Sequence, residues 1–204
     1  VFTVDIAALA PGVKVVSHVA TDNLAGGRLA AQALIEALDG KGKVAIIDHP
    51  EVESVILRTK GFDEELAKQK AEKGVTMEVV ARLPGGGAKD RSFKAAEDLI
   101  QAHPGITGIF AINDSSALGA GAALEKAGKL SQVKVVGFDG DPAGKAAIKA
   151  GQIYADSIQF PDRIGRTAVQ NIVKYLAGED VPPETLIPTG LYRKADAEKD
   201  PAVK

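Results

Sequence analysis

Five apolar runs in this chain each stop at a small polar cluster and give way to a stretch with helical spacing. They are Val44–Ile47 before Asp48-His49, Val79–Ala81 before Gly85-Gly86-Gly87, and Gly108–Ala111 before Asn113-Asp114. Val133–Phe138 then precedes Asp139-Gly140-Asp141, and Tyr154–Ile158 precedes Gln159-Phe160-Pro161. Short continuous apolar runs alternating with helical patterns predict βα units around a parallel sheet buried on both faces. The fold class expected is α/β, a doubly wound parallel sheet. In such sheets ligands bind outside the carboxyl ends of the strands, where the polar clusters sit.

The pattern places strands at 43–48, 76–83, 107–112, 133–138 and 153–159, with helices at 54–72, 90–102, 115–127, 142–150 and 162–177. Ahead of them, Val1–Asp5 reads as a strand already under way, and Lys14–Ala20 alternates and is β-branched, so it is expected to be another. Thr21-Asp22-Asn23 supplies a cap for a helix over 24–38, closed by Asp39-Gly40. Gly26-Gly27 inside that helix costs roughly 1 kcal/mol per glycine against alanine, which close packing against a neighbour would offset. A last strand is expected near 185–188, beyond the Pro182-Pro183 loop. Lys194–Asp200 then reads as a solvated charged tail.

Composition narrows the classes without choosing among them. At 204 residues, 45% hydrophobic and 25% charged, the chain can bury a sizeable core in one large domain or two small lobes. A net charge of −2 gives no case for nucleic acid or an anionic membrane. No apolar run is long enough to span a bilayer. The absence of cysteine excludes disulfides and a thiol nucleophile. An amino terminus that opens inside a strand, with no signal peptide, reads as that of a fragment.

Candidate chemistry sits at the strand ends. Asp141 precedes Pro142, the expected pairing of N-cap and first-turn proline, so the cap is filled and Asp139 is left with a free carboxylate. By the same logic Asp114 caps the helix starting at Ser115 and frees the amide of Asn113. Gln159 is a poor cap type and closes its strand. Arg58 falls on the inward stripe Val55, Phe62, Leu66, where a charge must find a partner. Asp5 ends the first strand and faces the same side. Two carboxylates, two amides and an arginine suit a molecule covered in hydroxyls. Phe138 and Phe160 are expected to be core, since adjacent strand positions point opposite ways. His18, His49 and His103 share no metal spacing, and no metal or cofactor is expected. Gly85-Gly86-Gly87-Ala88-Lys89 lacks the spacing and the following Ser/Thr of a phosphate loop, so it reads as a flexible βα turn.

Several ordered motifs resemble the ribose-binding branch of the periplasmic sugar-binding proteins. They are Ser17–Asn23 with Gly26-Gly27, Arg58 ahead of Gly61-Phe62, Ala111–Asp114 with Ala117–Ala120, Val136–Gly140, and Gln159–Asp162 with Ile164-Gly165. The resemblance implies that Asp5, Arg58, Asn113, Asp139 and Gln159 hydrogen-bond sugar hydroxyls. It also implies a non-enzymatic, periplasmic protein that captures a monosaccharide or polyol between two lobes and delivers it to the membrane permease of an ABC importer. Residues 21–159 and 189–204 would form the C-terminal lobe, and 1–20 with 160–188 a remnant of the N-terminal lobe. The incomplete lobe would expose apolar surface and favour self-association. Two departures from the pattern stand out: Ile6 replaces an arginine, and Gly85-Gly86-Gly87 replaces a stacking phenylalanine. The alternative is the effector-binding core of a lactose-repressor-type regulator, which shares the fold and the Asn-Asp and Gly-Phe-Asp elements.

Overall fold

The computed structural model describes residues 1–8 and 10–203. The chain begins with strands β1 (Phe2–Val4) and β2 (Ser17–Thr21) and helix α1 (Asn23–Ala37). Four βα units follow: β3 (Lys43–Asp48) with α2 (Glu53–Lys73), β4 (Glu78–Pro84) with α3 (Lys89–Ala102), β5 (Gly108–Ala111) with α4 (Asp114–Lys126), and β6 (Lys134–Asp139) with α5 (Pro142–Ala150). Then come β7 (Ala155–Ile158), α6 (Pro161–Leu176), β8 (Glu184–Ile187), β9 (Gly190–Arg193) and α7 (Lys194–Ala197).

These strands form two sheets. The larger has the order β4-β3-β5-β6-β7-β9, parallel except for antiparallel β9. Its central strands β3, β5 and β6 are nearly continuous apolar runs because both faces are covered. Val44, Ile46, Phe110 and Phe138 meet α1 and α2 on one side, while Ala45, Ile47, Ile109 and Val135 meet α3, α4 and α5 on the other. Register sets Asp48 beside Pro84, Ile47 beside Ala111, and Asp139 beside Ile158, so the polar clusters share one edge of the sheet.

The smaller sheet is β1-β2-β8, all parallel. Helix α6 covers one face through Ile164 and Ala168, which pack on Val19 and Ile187. Val4 and Leu186 stay exposed, as do Val169, Val173 and Leu176 along α6. The chain passes between the sheets after β2, after β7 and after β8, and the passages are tied together. Asp22 N donates to Ile187 O (2.9 Å), Thr21 Oγ1 to Gln159 Oε1 (2.7 Å), and Thr189 Oγ1 to Ile158 O (2.7 Å).

The glycines of α1 are explained by contact. A Cβ at Gly27 would strike the carbonyl of Arg58, and one at Gly61 the carbonyl of Leu24, so α1 and α2 cross with their backbones touching. Gly26 leaves room for the Phe138 ring.

The charged tail is solvated at Lys194, Asp196, Glu198 and Lys199 as expected, but it is also helical at its start and anchored to the sheet. Residues 190–193 add the antiparallel edge strand, and Ala197 and Val203 are buried beside α5. Asp200 accepts from Tyr192 Oη (2.9 Å) and Lys145 Nζ (3.1 Å). The charge count hid two small apolar anchors that fix the segment.

Candidate functional site

Strand β6 delivers Asp139 to the sheet edge with φ +108°, a region uncommon for any residue but glycine. Gly140 follows at φ +75°, and Asp141 then caps α5 by accepting from Gly144 N (2.7 Å), with Pro142 as the first helical residue. The cap is thus filled by Asp141, and the Asp139 carboxylate is left for other partners.

Those partners come from two directions. Arg58 is buried, its guanidinium lying 3.8 Å from the centre of the Phe138 ring. Its Nε donates to Asn23 Oδ1 (2.9 Å), and its Nη1 to Ile112 O (2.7 Å) and Asp139 Oδ1 (2.9 Å). Gln159 Nε2 donates to the same Asp139 Oδ1 (2.6 Å), while its Oε1 accepts from Thr21. Both bonds land on Oδ1. Among the described residues Oδ2 has no hydrogen-bond donor, and the side chain is 30% exposed.

Burial raises the Asp139 pKa above the usual carboxylate range, opposed by Arg58 and Gln159 and reinforced by Asp5. Burial likewise lowers the Arg58 pKa, opposed first by Asp139 and then by Asp5. Each partner is drawn toward its neutral form. The pair alone does not replace the hydration both groups lose, and a ligand donating hydroxyls to Asp139 would.

Asp5 adopts φ +65° and lines, with Val4, Asp139, Gln159, Pro161 and Ile164, an open cavity of about 450 Å³ between the sheets. The fold therefore brings Asp5, Arg58, Asp139 and Gln159 together. Asn113 lies on the same edge, one residue beyond Ile112, but its amide is not free as expected. Asn113 itself is the N-cap of α4: Oδ1 accepts from Ser116 N (2.9 Å), and Nδ2 donates to Gly87 O (3.1 Å). Its backbone is extended, the cap conformation, whereas Asp114 is already helical and turns inward. One Nδ2 hydrogen remains for a ligand.

The glycine loop is pinned at its start, since Gly85 N and Gly86 N both donate to Asp48 O (2.9 and 3.2 Å). At Gly87, φ is +67°, and a Cβ would sit 3.3 Å from Asn113 Nδ2 and 3.5 Å from His49 Nδ1. The loop thus leaves the approach to Asn113 open.

Four further residues shape the site, three of them without a clear signal in the sequence. Asn23 and Thr21 orient Arg58 and Gln159, a role that the cap pattern Thr21-Asp22-Asn23 masks. Asp114 and Asp156 are buried together under the Asp139 turn. A signal existed for Asp156, a charge in the middle of an apolar run.

Residues 1–180 match the periplasmic binding protein domain. The chain belongs to the periplasmic binding protein family. It is 36% identical over 169 residues to the ribose import binding protein RbsB of Escherichia coli, covering 82% of this chain and 55% of that protein. To the D-apiose import binding protein of Paraburkholderia graminis it is 31% identical over 201 residues, covering 97% of this chain and 62% of the relative. Among solved structures, the Caulobacter myo-inositol binding protein bound to myo-inositol superposes with a TM-score of 0.86 at 27% identity. That match covers 99% of this chain and 68% of the neighbour. The chain spans little more than half the length of the curated relatives it matches.

Proposed function

We propose that this chain is part of a solute-binding protein that closes two α/β lobes over a monosaccharide or polyol and hands it to the membrane permease of an ABC importer. In this reading residues 21–159 and 189–204 belong to one lobe and 1–20 with 160–188 to the other. The three tied passages between the sheets serve as the hinge. The observation that carries the reading is Asp139, partly exposed at the sheet edge, with Oδ1 held by Arg58 and Gln159 and, among the described residues, no donor to Oδ2. Such a carboxylate accepts from a sugar hydroxyl at a fixed angle, and Asp5 and the spare Asn113 hydrogen supply further contacts.

The relatives are import binding proteins for ribose and apiose, and the neighbour holds a cyclic polyol; this favours import over the repressor-core reading. The family implies the periplasm as the place of work and binding without catalysis as the activity. Gly87 and Ile6 leave the cleft wider and less polar than a site with an aromatic ring and an arginine there. The exposed apolar face of β1, β8 and α6 is where we place the additional length of the relatives, or a second copy when this chain stands alone. Isothermal titration with D-ribose, D-apiose and myo-inositol tests the proposal, on this chain and on a form extended to the relatives' length. Saturable binding of at least one of them is expected; absence of heat with all three in both forms would overturn it.

A further inference from the structure

Beneath the Asp139 turn lies a pair of acids closed off from solvent and from any direct contact with a ligand in the cleft. Asp114, at the start of α4, and Asp156, in the middle of β7, are almost wholly buried and in hydrogen-bond contact with each other. Asp114 Oδ2 accepts from Asp141 N (2.6 Å). Among the described residues no other side chain donates at full hydrogen-bond geometry to Asp114 Oδ1 or to either oxygen of Asp156, beside which only the Gly137 backbone lies. Two facing carboxylates in a dry interior cannot both stay ionised, and one proton between them satisfies oxygens that otherwise have no side-chain partner. The surroundings are shaped to hold them. A Cβ at Gly137, opposite Asp156 in the sheet, would collide with the Asp156 carboxyl, and a Cβ at Gly144 with that of Asp114.

We propose that Asp114 and Asp156 are positioning residues of the binding site, a carboxyl pair that shares one proton and anchors the turn carrying Asp139 through the Asp141 amide. The chain of contact is short. Asp156 accepts the shared proton from Asp114, Asp114 fixes the Asp141 N–H, and Asp141 lies two residues beyond Asp139, in a turn with two successive positive φ angles. A backbone in that region holds its shape only when neighbours over-determine it. Asp141 is gripped twice, by Asp114 at its amide and by the α5 cap at its side chain.

The charged and titratable groups around the pair come from each packed element. Asp139 on β6 and Asp141 before α5 are like charges, and Arg58 on α2 is the opposing one. On β9, Tyr192 lies opposite Asp156 in register, with Lys145 of α5 over its ring and Asp200 holding both. Burial raises both carboxyls, Asp156 to about 6 and Asp114 to about 10, in keeping with one proton retained at neutral pH.

The consequence for affinity rests on the sugar-binding reading, so the test has one arm without sugar. Carbon-13 NMR of the carboxyls and nitrogen-15 NMR of the Asp141 amide are followed from pH 8 to pH 5 on the unliganded chain. One carboxyl of the pair is expected to stay protonated at pH 7.5, and the Asp141 amide to move with the pair's titration. Asp114→Asn mimics the protonated acid, since its amide donates to Asp156 while its oxygen still accepts from Asp141. That variant is expected to keep the Asp141 signal and to bind D-ribose, D-apiose or myo-inositol within about twofold of the parent. Asp114→Ala is expected to lose the signal and weaken binding roughly tenfold, the scale of one charge-assisted hydrogen bond. An Asp141 amide indifferent to the pair's titration, or equal weakening in both variants, overturns the proposal. If no sugar binds even the parent, the sugar-binding reading fails instead, and the NMR arm still decides the role of the pair.

Discussion

Arg58 shows how one side chain can link fold and site. Its buried guanidinium satisfies Asn23, the Ile112 carbonyl and Asp139 at once while its face covers Phe138. Removing it leaves Asp139 charged, half-buried and with a single donor. Arg58→Ala is expected to lower the unfolding free energy by about 3–5 kcal/mol, the usual consequence of breaking a buried ion pair on one side. Asp139→Asn should lower it by about 1–2 kcal/mol, because the amide oxygen still accepts from Arg58. Urea denaturation of the two variants checks the order, and equal losses would contradict it. Arg58 was legible in the sequence because a charge on an apolar stripe has few explanations. The exchange of roles between Asn113 and Asp114 was not, since both are good cap residues and only the backbone dihedrals decide which one caps.

At the scale of elements, the βα units were legible because a two-sided parallel sheet demands continuous apolar runs, which few other structures contain. The edge strand β9 and helix α7 were not, because their anchors are single residues, Tyr192, Ala197 and Val203, set among charges. The Gly26-Gly27 pair announced close packing without naming the neighbour, which turned out to be α2 and Phe138. Gly27→Ala therefore sets two effects against each other. Helix propensity favours the alanine by about 1 kcal/mol. The methyl, however, meets the Arg58 carbonyl, and backbone cannot yield as a side chain can. A net destabilisation of about 1–3 kcal/mol is expected, typical of overpacking. Thermal unfolding of the variant checks this, and a gain in stability would mean that α1 and α2 part easily.

For the molecule as a whole, the sequence pointed to one edge of one sheet as the site, and the structure gathers Asp5, Arg58, Asp139 and Gln159 there. What periodicity could not show was the second sheet's part, because Thr21 and Gln159 meet only after the chain has passed between the sheets. The buried acids also give the fold a distinctive pH response. A carboxyl whose folded pKa is raised contributes stability that is complete below the unfolded value of about 4 and lost as pH rises to the folded value. Between pH 7.5 and 5 Asp114 keeps its proton while the unfolded chain has lost it, and Asp156 is pushed up to about 6. Acidifying over that range should therefore stabilise the unliganded protein by about 1.4 kcal/mol per pH unit, and by more once Asp156 also takes up a proton. Below that range Glu36 and Glu65, both lowered, reverse the trend. Melting temperatures across this range check the sign, and stability that falls steadily from pH 7.5 would contradict it. The central claim, that the Asp139 edge grips a hydroxyl-rich ligand, is tested most directly by calorimetric titration of D-ribose, D-apiose and myo-inositol, in this chain and in the form extended to the relatives' length. The account predicts saturable heat for at least one of them, abolished by Asp139→Ala. No heat in either form, or heat that survives Asp139→Ala, would contradict it.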